Sequence, residues 1–459
     1  MEYKPHNYQV YGIERIVNDP GVGLFLRPGL GKTSITLAAI NILKRFRWSI
    51  SKVLVIAPKK TAEGTWSKEQ AKWDHLKDLR VVTVLGTAKK RIRALNTPAD
   101  VYVTNRDNTA WLVNYYAQAW PFDMVVLDES TSFKNGQTKR FKALKLIRPF
   151  CKKIVLLTGT PAPKGTEDLW AQIYLLDEGQ RLGKNITAFR TRYFDANTHG
   201  GHFTKYEEKP DAEAAVLRAI SDICVTMKAE DYLTLPECIE HEIPVVLDDK
   251  SRQEYRQFEK DLLLNLDEET ITAGTAGVLT GKLLQFCSGA VYNEDGKAVH
   301  IHDCKLEAYM ELLESLHGEP CITFYGFQHD RDRILEALSH SKLKVRVYKD
   351  TEDEDAWNDG KIDVLLAHPA SCAYGLNLQA GGRHIIWFTP NWSFELNDQG
   401  KCRLWRQGSP YDKVFVHYLV VQGGVDEDVI EAVHNRTKTH ETVMQVLKAR
   451  IKKIKEENS

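Results

Sequence analysis

The chain has 459 residues, of which 43% are hydrophobic and 27% are charged. This length and composition are typical of a globular protein with two or three domains, each large enough to bury a core. Lys+Arg and Asp+Glu both number 62, which excludes a strongly basic or acidic protein. Any surface that binds a polyanion must therefore be a local patch.

The eight cysteines are scattered and form no C-x-x-C pair. This spacing argues against a disulfide framework or a zinc site, and we expect reduced, mostly buried thiols. The N-terminus lacks the apolar core of a signal peptide, and no apolar run approaches the roughly 18 residues that span a bilayer. The sequence predicts a soluble, intracellular protein with no membrane contact.

Short apolar runs alternate with helical stretches in the first part of the chain. The expected buried strands are Val22–Leu26, Lys52–Ala57, Val81–Leu85, Asp100–Thr104, Met124–Leu127 and Lys153–Leu157. The expected crossover helices are Ser34–Arg45, Thr65–Trp73 and Lys139–Ile147. Repeated strand–helix units of this kind predict a doubly wound α/β domain with a parallel sheet.

The middle of the chain has a different character. The stretch from Gly179 to Leu233 has many charges and no strand-like run, so we expect it to be helical or irregular. Leu235–Leu247 is predicted to be a linker with one strand, and Ser251–Gln285 to be helical around a loop at Glu268–Gly277. Thr351–Gly360 is acidic, which favours a solvated surface loop.

Strand-like runs return in the last third of the chain and predict a second α/β domain. They are Pro320–Tyr325, Lys344–Tyr348, Asp363–Ala367, His384–Phe388 and Val414–Val420. The expected organisation is a first lobe at residues 1–180, a helical insertion at 181–235, a linker with a second helical insertion at 236–292, and a second lobe at 293–459.

A phosphate-binding loop is predicted between the first strand and the first crossover helix. Gly29-Leu30-Gly31-Lys32-Thr33 follows an apolar strand and opens a helix, which is the setting such a loop requires. The glycines let backbone N–H groups converge on phosphates, Lys32 adds a positive charge, and Thr33 offers a hydroxyl to Mg²⁺. The longer form of this motif has glycine at position 26, where this chain has Leu26.

An acidic pair, Asp128-Glu129, directly follows the strand Met124–Leu127. Carboxylates at this end of a parallel strand lie where ligands bind in open α/β sheets. We expect Asp128 to hold Mg²⁺ and Glu129 to orient and deprotonate the attacking water. Behind a phosphate-binding loop, such a pair predicts ATP hydrolysis.

A third strand-end turn is Thr158-Gly159-Thr160-Pro161. Its two hydroxyls could bond to Glu129 and to the other lobe, which would couple chemistry to motion. A plain turn without such a role is the alternative.

Together these motifs resemble the Swi/Snf-type DNA translocases of helicase superfamily two, over nearly the whole chain. Tyr8-Gln9 resembles the adenine-reading motif of the family, and Val55-Ile56-Ala57-Pro58 with Trp66 and Glu69 resembles the motif that touches the DNA backbone. The segment Asp128–Asn135, which we call the acidic box, resembles the extended acidic motif of the family down to its closing Lys134-Asn135. The resemblance implies two tandem RecA-like P-loop lobes with parallel sheets, helical insertions between them, and a bound ATP with Mg²⁺ between the lobes.

The last third of the chain resembles the remaining family motifs. Ile322-Thr323-Phe324-Tyr325 is similar to the fourth motif and Gly375-Leu376-Asn377-Leu378-Gln379 to the fifth. Gln399, Arg403 and Arg406 have the Q-x-x-x-R-x-x-R spacing of the sixth. The resemblance implies that Gln9, Gly375 and Gln399 contribute to nucleotide binding. It also implies that the two arginines neutralise charge on the transferred γ-phosphoryl group.

Details favour the compact bacteriophage branch of the family. Trp392-Ser393-Phe394-Glu395-Leu396 and His368-Pro369-Ala370-Ser371 are phage-like. The resemblance therefore implies a location in the cytoplasm of a bacterial or phage-infected cell, and a monomer is plausible. The fifth motif departs from the usual pattern at Cys372 and Tyr374, which puts the efficiency of coupling to DNA in doubt.

Nucleic acid is the expected partner, as duplex DNA bound without sequence preference. By resemblance the contacts fall at Pro58, Lys59, Thr104, Asn105, Phe324 and Asn377. Clusters such as Lys59-Lys60 and Lys89-Lys90-Arg91 could pair with phosphates, although a solvated helix face is the alternative for each. Two other functions remain open: an RNA helicase, and a nucleotide-gated binding factor in which slow hydrolysis acts as a timer.

Overall fold

The structure is a computed structural model that describes residues 1–162, 165–199, 203–227, 235–263, 273–372, 376–435 and 445–452. The chain divides into two compact units, Met1–Thr234 and Leu235–Ser459. Each unit contains one large sheet of parallel strands with flanking helices, so the predicted fold class is confirmed. The boundaries predicted at residues 180, 235 and 292 stay predictions.

The first unit is a seven-stranded parallel sheet in the order β3-β4-β2-β5-β6-β1-β9. Its elements are α1 (Asn7–Asn18), β1 (Gly21–Leu26), α2 (Lys32–Asn41), β2 (Val53–Ala57), α3 (Trp66–Lys72), β3 (Val81–Val84), α4 (Ala88–Asn96), β4 (Val101–Asn105), α5 (Thr109–Tyr116), β5 (Met124–Asp128), α6 (Lys139–Ile147), β6 (Lys153–Thr158), α7 (Glu167–Asp177), α8 (Ile186–Tyr193), β7 (Phe194–His199), β8 (Phe203–Glu208), α9 (Ala212–Ile220) and β9 (Cys224–Met227). Strands β1, β2 and β5 are buried along their whole length, because helices cover both faces of a parallel sheet.

The parallel arrangement gathers the predicted motifs at one edge of this sheet. β1, β6 and β5 are neighbours, so the turn after β1, the acidic pair after β5 and the Thr-Gly-Thr turn after β6 all follow carboxyl ends. Ligands bind at this edge in open α/β sheets.

The stretch expected to be helical or irregular, residues 179–233, also contains strands. β7 and β8 form an antiparallel hairpin, and β9 pairs with β1 at the edge of the main sheet. β9 has only four residues with a mixed burial pattern, so it gives no local strand signal. Its conformation depends on the pairing of Cys224 with Gly23, about 200 residues apart in sequence.

The second unit is a six-stranded parallel sheet in the order β10-β17-β16-β13-β15-β14. Its elements are β10 (Glu237–Val245), α10 (Asp249–Leu263), α11 (Ala273–Cys287), β11 (Ala290–Tyr292), β12 (Ala298–His300), α12 (Cys304–Ser315), β13 (Cys321–Phe324), α13 (Gln328–Leu338), β14 (Val345–Val347), α14 (Thr351–Asn358), β15 (Val364–Ala367), α15 (Pro369–Cys372), β16 (His384–Trp387), α16 (Phe394–Lys401), β17 (Lys413–Val421) and α17 (Val425–His434). β10 pairs with β17 along nine residues, so the strand expected within Leu235–Leu247 belongs to this sheet.

The acidic stretch at residues 351–360 is not the solvated loop that we expected. It forms helix α14, whose N-cap Asp350 accepts a hydrogen bond from the backbone N–H of Glu352. Asp353 and Glu354 are each only 7% exposed. Carboxylates in the first turn favour a helix by interacting with its dipole, and both of these also have specific partners in the fold.

The eight cysteines are free thiols, six of them buried, in agreement with the sequence-based prediction. No helix within the described ranges is both long and apolar enough to cross a bilayer.

Candidate active site

The turn between β1 and α2 has the backbone of a phosphate-binding loop. Gly29 and Gly31 have φ angles of 92° and 74°, a left-handed conformation that residues with a Cβ rarely adopt. A Cβ on Gly31 would also lie 2.7 Å from Nε2 of Gln9, so only glycine fits there. No side chain caps α2, which leaves backbone N–H groups and the positive end of the helix dipole for an anion.

Leu26 occupies the position where the longer motif has glycine. It ends β1, is 1% exposed and has a negative φ, so a side chain causes no backbone strain there. Its carbonyl oxygen accepts a hydrogen bond from Nζ of Lys32 at 2.8 Å. The departure from the motif is therefore compatible with a lysine held at the turn.

Gln9 and Leu30 support this turn from the interior. Gln9 is 7% exposed, and its Oε1 accepts a hydrogen bond from the backbone N–H of His6 at 2.9 Å. This bond fixes the amide beside Gly31. Leu30 is fully buried. The assignment of Gln9 to the adenine base stays a prediction.

The acidic pair combines a buried carboxylate with a residue in a strained backbone conformation. Asp128 ends β5 and is 7% exposed. Glu129 follows with φ 51° and ψ 62°, a left-handed conformation that is uncommon for residues other than glycine and is found at functional sites. Its Oε2 is buried and has no hydrogen-bond partner among the described residues. A buried carboxylate oxygen of this kind is costly unless a water or ligand binds it.

The electrostatics of the pair suit a cation. Burial raises the pKa of Asp128 above its usual range, and the neighbouring Glu129 carboxylate raises it further. Lys32 and a hydrogen bond from Trp66 act in the opposite direction. Because a bound divalent cation stabilises ionised carboxylates, it would relieve the unfavourable concentration of negative charge.

Trp66 has a role that the sequence did not indicate. Its indole Nε1 donates a hydrogen bond to Oδ2 of Asp128 at 3.1 Å. The side chain, at the start of α3, is fully buried, which leaves it no surface for DNA although its motif resembles a DNA-contacting one. The residue therefore positions the acidic pair.

These residues fit a nucleoside triphosphate with Mg²⁺. The uncapped helix end and Lys32 would hold the phosphates, and Thr33, half-buried in the first turn of α2, would hold the metal together with Asp128. The partnerless Oε2 of Glu129 is free to accept a hydrogen bond from a water beside them.

The Thr158-Gly159-Thr160 turn packs directly on the phosphate-binding loop. A Cβ on Gly159 would lie 3.0 Å from Cδ of Pro28, so the two turns touch. Oγ1 of Thr158 accepts a hydrogen bond from the backbone N–H of Thr160 at 3.2 Å. The bond that we expected from this turn to Glu129 is absent from the described structure, where Oγ1 of Thr160 is buried without a partner.

The connection between the acidic box and this turn is made by Gln172 instead. Its Oε1 accepts a hydrogen bond from Oγ of Ser130 at 2.7 Å, and its Nε2 donates to the carbonyl oxygen of Pro161 at 2.7 Å and to that of Asp168 at 2.8 Å. Gln172 is fully buried in α7. A polar residue within the apolar run Leu169–Leu176 was the only sequence signal for it.

The nucleic-acid residues predicted in the first unit do not all reach the surface. Lys59 follows β2 and its side chain is 71% exposed, and Pro58 precedes it at the same sheet edge. Asn105 ends β4 and is half-buried. Thr104 is fully buried, and its Oγ1 donates to the carbonyl oxygen of Val84 at 2.8 Å. The hydroxyl of Thr104 thus bonds within the sheet, and the contact of this residue with nucleic acid stays a prediction.

The predicted residues of the second unit divide in the same way. Phe324 is fully buried in β13, with its ring 4.6 Å from that of Trp387, and its contact with nucleic acid stays a prediction. Asn377 is exposed. Its backbone N–H donates to Oε1 of Glu354 at 3.0 Å, and its carbonyl oxygen accepts from Nδ2 of Asn358 at 2.7 Å. Helix α14 thus holds the fifth motif, and Gly375 lies outside the described residues.

Arg403 and Arg406 meet at the backbone carbonyl of Leu376, and Arg403 also bonds to the carbonyl of Gln399. Gln399 lies in α16 and is 5% exposed. Arg403 is 4% exposed and donates to the carbonyl oxygens of Gln399 and Leu376, each at 2.9 Å. Arg406 is half-buried and donates to the carbonyl oxygen of Leu376 at 3.1 Å. Both arginines thus bind the fifth motif, and their action on a phosphoryl group stays a prediction.

The amino-acid sequence of the chain is similar to those of known ATPases and DNA repair proteins. Residues 17–287 match the SNF2-related domain. The chain belongs to the SNF2-related family. Protein p41 of Acyrthosiphon pisum secondary endosymbiont phage 1 is 35% identical over 97% of this chain and 99% of its own length. The DNA repair and recombination protein RAD54-like of Drosophila persimilis is 22% identical over 91% of this chain and 59% of its own length.

A solved structure is also similar, the Sulfolobus solfataricus SWI2/SNF2 ATPase core in complex with dsDNA, with 20% identity, a TM-score of 0.45, and coverage of 98% of this chain and 95% of that one. The family match and the similarity to p41 confirm the predicted resemblance to compact, phage-type Swi/Snf ATPases. The chain is an SNF2-family ATPase core, for which the family implies the use and hydrolysis of ATP.

Proposed function

We propose that this protein is a DNA-dependent ATPase that moves along duplex DNA. The observation that carries the proposal is the position of Glu129. Its partnerless carboxylate oxygen lies buried at the sheet edge that also holds the phosphate-binding turn and Asp128. A strained residue with an unsatisfied oxygen beside a phosphate site is the arrangement that a hydrolytic water requires.

The chain's own residues supply the steps of hydrolysis. Backbone N–H groups of the Gly29–Lys32 turn and Nζ of Lys32 bind the phosphates and stabilise charge on the transferred group. Oε2 of Glu129 accepts a proton from the water that attacks the γ-phosphorus. Mg²⁺, when bound by Thr33 and Asp128, neutralises charge on the phosphate oxygens.

The proposal assigns duplex DNA to two exposed residues, Lys59 at the carboxyl edge of the first sheet and Asn377 in the fifth motif. Lys59 would pair with a phosphate independently of base sequence. Family membership and the relationship to a DNA repair and recombination protein of the RAD54 type support DNA as the polymer.

The test compares ATP turnover with duplex DNA, single-stranded DNA and RNA added separately. We expect duplex DNA to raise the rate most strongly. Glu129→Gln should lower that rate by a factor of roughly 10² to 10⁴, the usual contribution of a general base, and Lys32→Ala should abolish it. Glu178→Gln is the matched control, because Glu178 is also left-handed, with φ 56°, but ends α7 far along the chain from the acidic box.

Two outcomes would contradict the proposal. Stimulation by RNA with no response to duplex DNA would indicate an RNA helicase. Duplex-stimulated hydrolysis that fails to displace the third strand of a DNA triplex would indicate a nucleotide-gated clamp, since a moving protein must dislodge that strand.

A further inference from the structure

Two aromatic side chains protrude into solvent where the helix that follows the phosphate-binding loop ends. α2 continues as a π-helical turn, Ile42–Phe46, and the chain then reaches Trp48. Phe46 is 74% exposed and Trp48 is 84% exposed, the highest values for large apolar residues among those described. Large apolar rings with so little packing are costly to expose and indicate a binding surface.

The backbone conformation of Trp48 also indicates a functional role for this residue. Its φ is 51°, a left-handed conformation that glycine or asparagine usually adopts after a helix end. The flanking backbone is well ordered by hydrogen bonds: the N–H of Arg47 donates to the carbonyl oxygen of Ile42 at 2.9 Å, and that of Ser49 to Leu43 at 3.0 Å. The chain thus retains a strained tryptophan that contributes little packing to the fold, which points to a role in recognition.

Positive charges surround the two rings. Arg45-Phe46-Arg47-Trp48 alternates cation and ring, and all four side chains are exposed. Arg80 and Lys152 approach from other loops at the same edge, each with a side chain 64% exposed. We call these six residues, Arg45, Phe46, Arg47, Trp48, Arg80 and Lys152, the aromatic–basic patch.

A pocket of about 440 Å³ lies beside the patch, lined by Trp48, Arg45, Arg80 and Lys152 among others. Two carboxylates line it as well, and both are already engaged. Asp100 pairs with Lys44 at 3.0 Å and accepts the backbone N–H of Arg80 at 2.8 Å, and its side chain is only 3% exposed. Asp123 pairs with Lys152 at 2.8 Å and accepts the N–H and hydroxyl of Ser51. Arg45 and Arg80 also lie 3.6 Å from Asp100. The two carboxylates are outnumbered by five cations, Lys44, Arg45, Arg47, Arg80 and Lys152, so the net charge of this surface is positive.

The patch is separate from the candidate active site. Lys52, Asp100, Asp123 and Lys152 precede strands β2, β4, β5 and β6, whereas the acidic pair and the phosphate-binding turn follow strands. In a parallel sheet these are opposite edges, and a strand of five residues separates them by about 16 Å. The residues of the patch are therefore separate from those of the phosphate-binding loop.

We propose that the aromatic–basic patch binds single-stranded nucleic acid, as a second site independent of ATP hydrolysis. Unpaired bases would stack on Trp48 and Phe46, and the phosphates between them would pair with Arg45, Arg47 and Lys152. The alternation of ring and cation in the sequence matches the alternation of base and phosphate in a single strand. Intact duplex DNA has no free base faces for two protruding rings, and an acidic peptide would satisfy the cations alone.

The experiment is a titration of the full-length protein with an oligothymidylate of about 15 nucleotides, a length within the usual site size of single-strand binders. We expect quenching of tryptophan fluorescence that is largely lost in Trp48→Phe, and an affinity that falls as salt rises. The double variant Phe46→Ala/Trp48→Ala should bind at least about tenfold more weakly, because one stacked base contributes roughly 1–3 kcal/mol.

Controls separate this site from the proposed motor activity. Tyr206→Ala removes another exposed ring, 37% exposed in β8 and outside the patch, and should leave the affinity unchanged. ATP turnover stimulated by duplex DNA should be unchanged in the double variant, whose side chains are too exposed to support the core. Absence of oligothymidylate binding, or equal binding by the wild type and the double variant, would overturn the proposal. Trp48-dependent binding of polyglutamate with the same affinity would assign the patch to an acidic protein partner instead.

Discussion

The indole N–H of Trp66 and the carboxylate of Asp128 lie 3.1 Å apart in a fully buried hydrogen bond. The two residues are 62 positions apart in sequence, on α3 and β5. One carboxylate oxygen is thereby fixed by the protein, which leaves the other for the magnesium ion that we propose. The orientation of Asp128 thus depends on a fully buried tryptophan.

Trp66→Phe is expected to weaken activation by Mg²⁺, in addition to the packing that is lost when a smaller ring replaces a fully buried indole. A hydrogen bond to a charged group contributes about 1.5–3 kcal/mol, so the Mg²⁺ concentration that half-activates ATP turnover should rise by roughly tenfold or more. Trp73→Phe is the control, since it removes another indole N–H bond to a carboxylate, that of Glu69 at 2.6 Å. Equal Mg²⁺ dependence in wild type and Trp66→Phe would contradict the positioning role.

Gln172→Leu tests the connection between the acidic box and the Thr158–Thr160 turn. The change keeps the side-chain size but leaves the hydroxyl of Ser130 and the carbonyl of Pro161 without their partner, at a cost of about 1–3 kcal/mol in unfolding free energy. We expect the stimulation of ATP turnover by DNA to fall more than the affinity for ATP.

Ser130→Ala should reproduce part of this effect, and the two changes should be non-additive when combined, because they remove one shared bond. The measurement is a double-mutant cycle on the ratio of stimulated to basal rate. Additive effects, or a fall in ATP affinity alone, would show that Gln172 acts only through packing.

Trp48→Gly should stabilise the protein, an unusual result for removal of a tryptophan. A left-handed residue with a Cβ costs about 1–2 kcal/mol, and the greater freedom of glycine in the unfolded chain offsets roughly 0.5–1 kcal/mol of the gain. The expected increase in unfolding free energy is therefore about 0.5–1 kcal/mol, measured by urea denaturation. Ser49→Gly, one residue later and without a left-handed φ, should not stabilise. A loss of stability in Trp48→Gly would mean that the ring packs in solution.

The second unit should lose stability in mild acid through His417. This side chain lies on β17 between His241 and His384, with Nε2 3.1 Å from Nδ1 of His384. Burial, together with the smaller effect of the two neighbouring histidines, lowers the pKa of His417 to about 4. Glu319, bonded to His384 at 3.0 Å, is the nearby carboxylate.

The direction in which stability changes with pH follows from proton binding to the folded and unfolded chains. The unfolded chain, with an ordinary histidine pKa near 6.5, binds a proton as the pH falls below that value, whereas the folded protein does not until about pH 4. The contribution of His417 to the free energy of unfolding is fully present above pH 6.5. Below that pH it declines by up to about 1.4 kcal/mol per pH unit. Urea midpoints between pH 7.5 and 4.5 measure this slope, which should be smaller in His417→Phe and unchanged in His340→Gln. An identical slope in His417→Phe would assign the acid sensitivity to other groups.

The sequence predicted the parts of this protein that are determined locally. Apolar runs with strand-end motifs located β1, β5 and β6 to within a residue or two, and with them Lys32, Asp128 and Glu129. It failed where structure depends on distant partners. β9 exists as a strand because it pairs with β1, and Glu354 is buried because it accepts the N–H of Asn377, 23 residues away.

Side-chain direction was the other limit. Thr104 and Phe324 were predicted as contacts by resemblance, but the side chains of both are buried. Helices cover both faces of a parallel sheet, so the side chains within β4 and β13 are buried on either face and only residues near the strand end approach solvent. Gln172 was missed for the opposite reason: its partners Ser130 and Pro161 become neighbours only after folding.

The shared carbonyl of Leu376 has a consequence for how such proteins can diverge. Arg403 and Arg406 both donate hydrogen bonds to it, and Glu354 of α14 accepts the backbone N–H of the next residue, Asn377. All of these bonds go to backbone groups, which every amino acid except proline supplies in full. The side chains at positions 376 and 377 are therefore free to diverge, whereas Glu354, Arg403 and Arg406 must be retained if the segment is to keep its place.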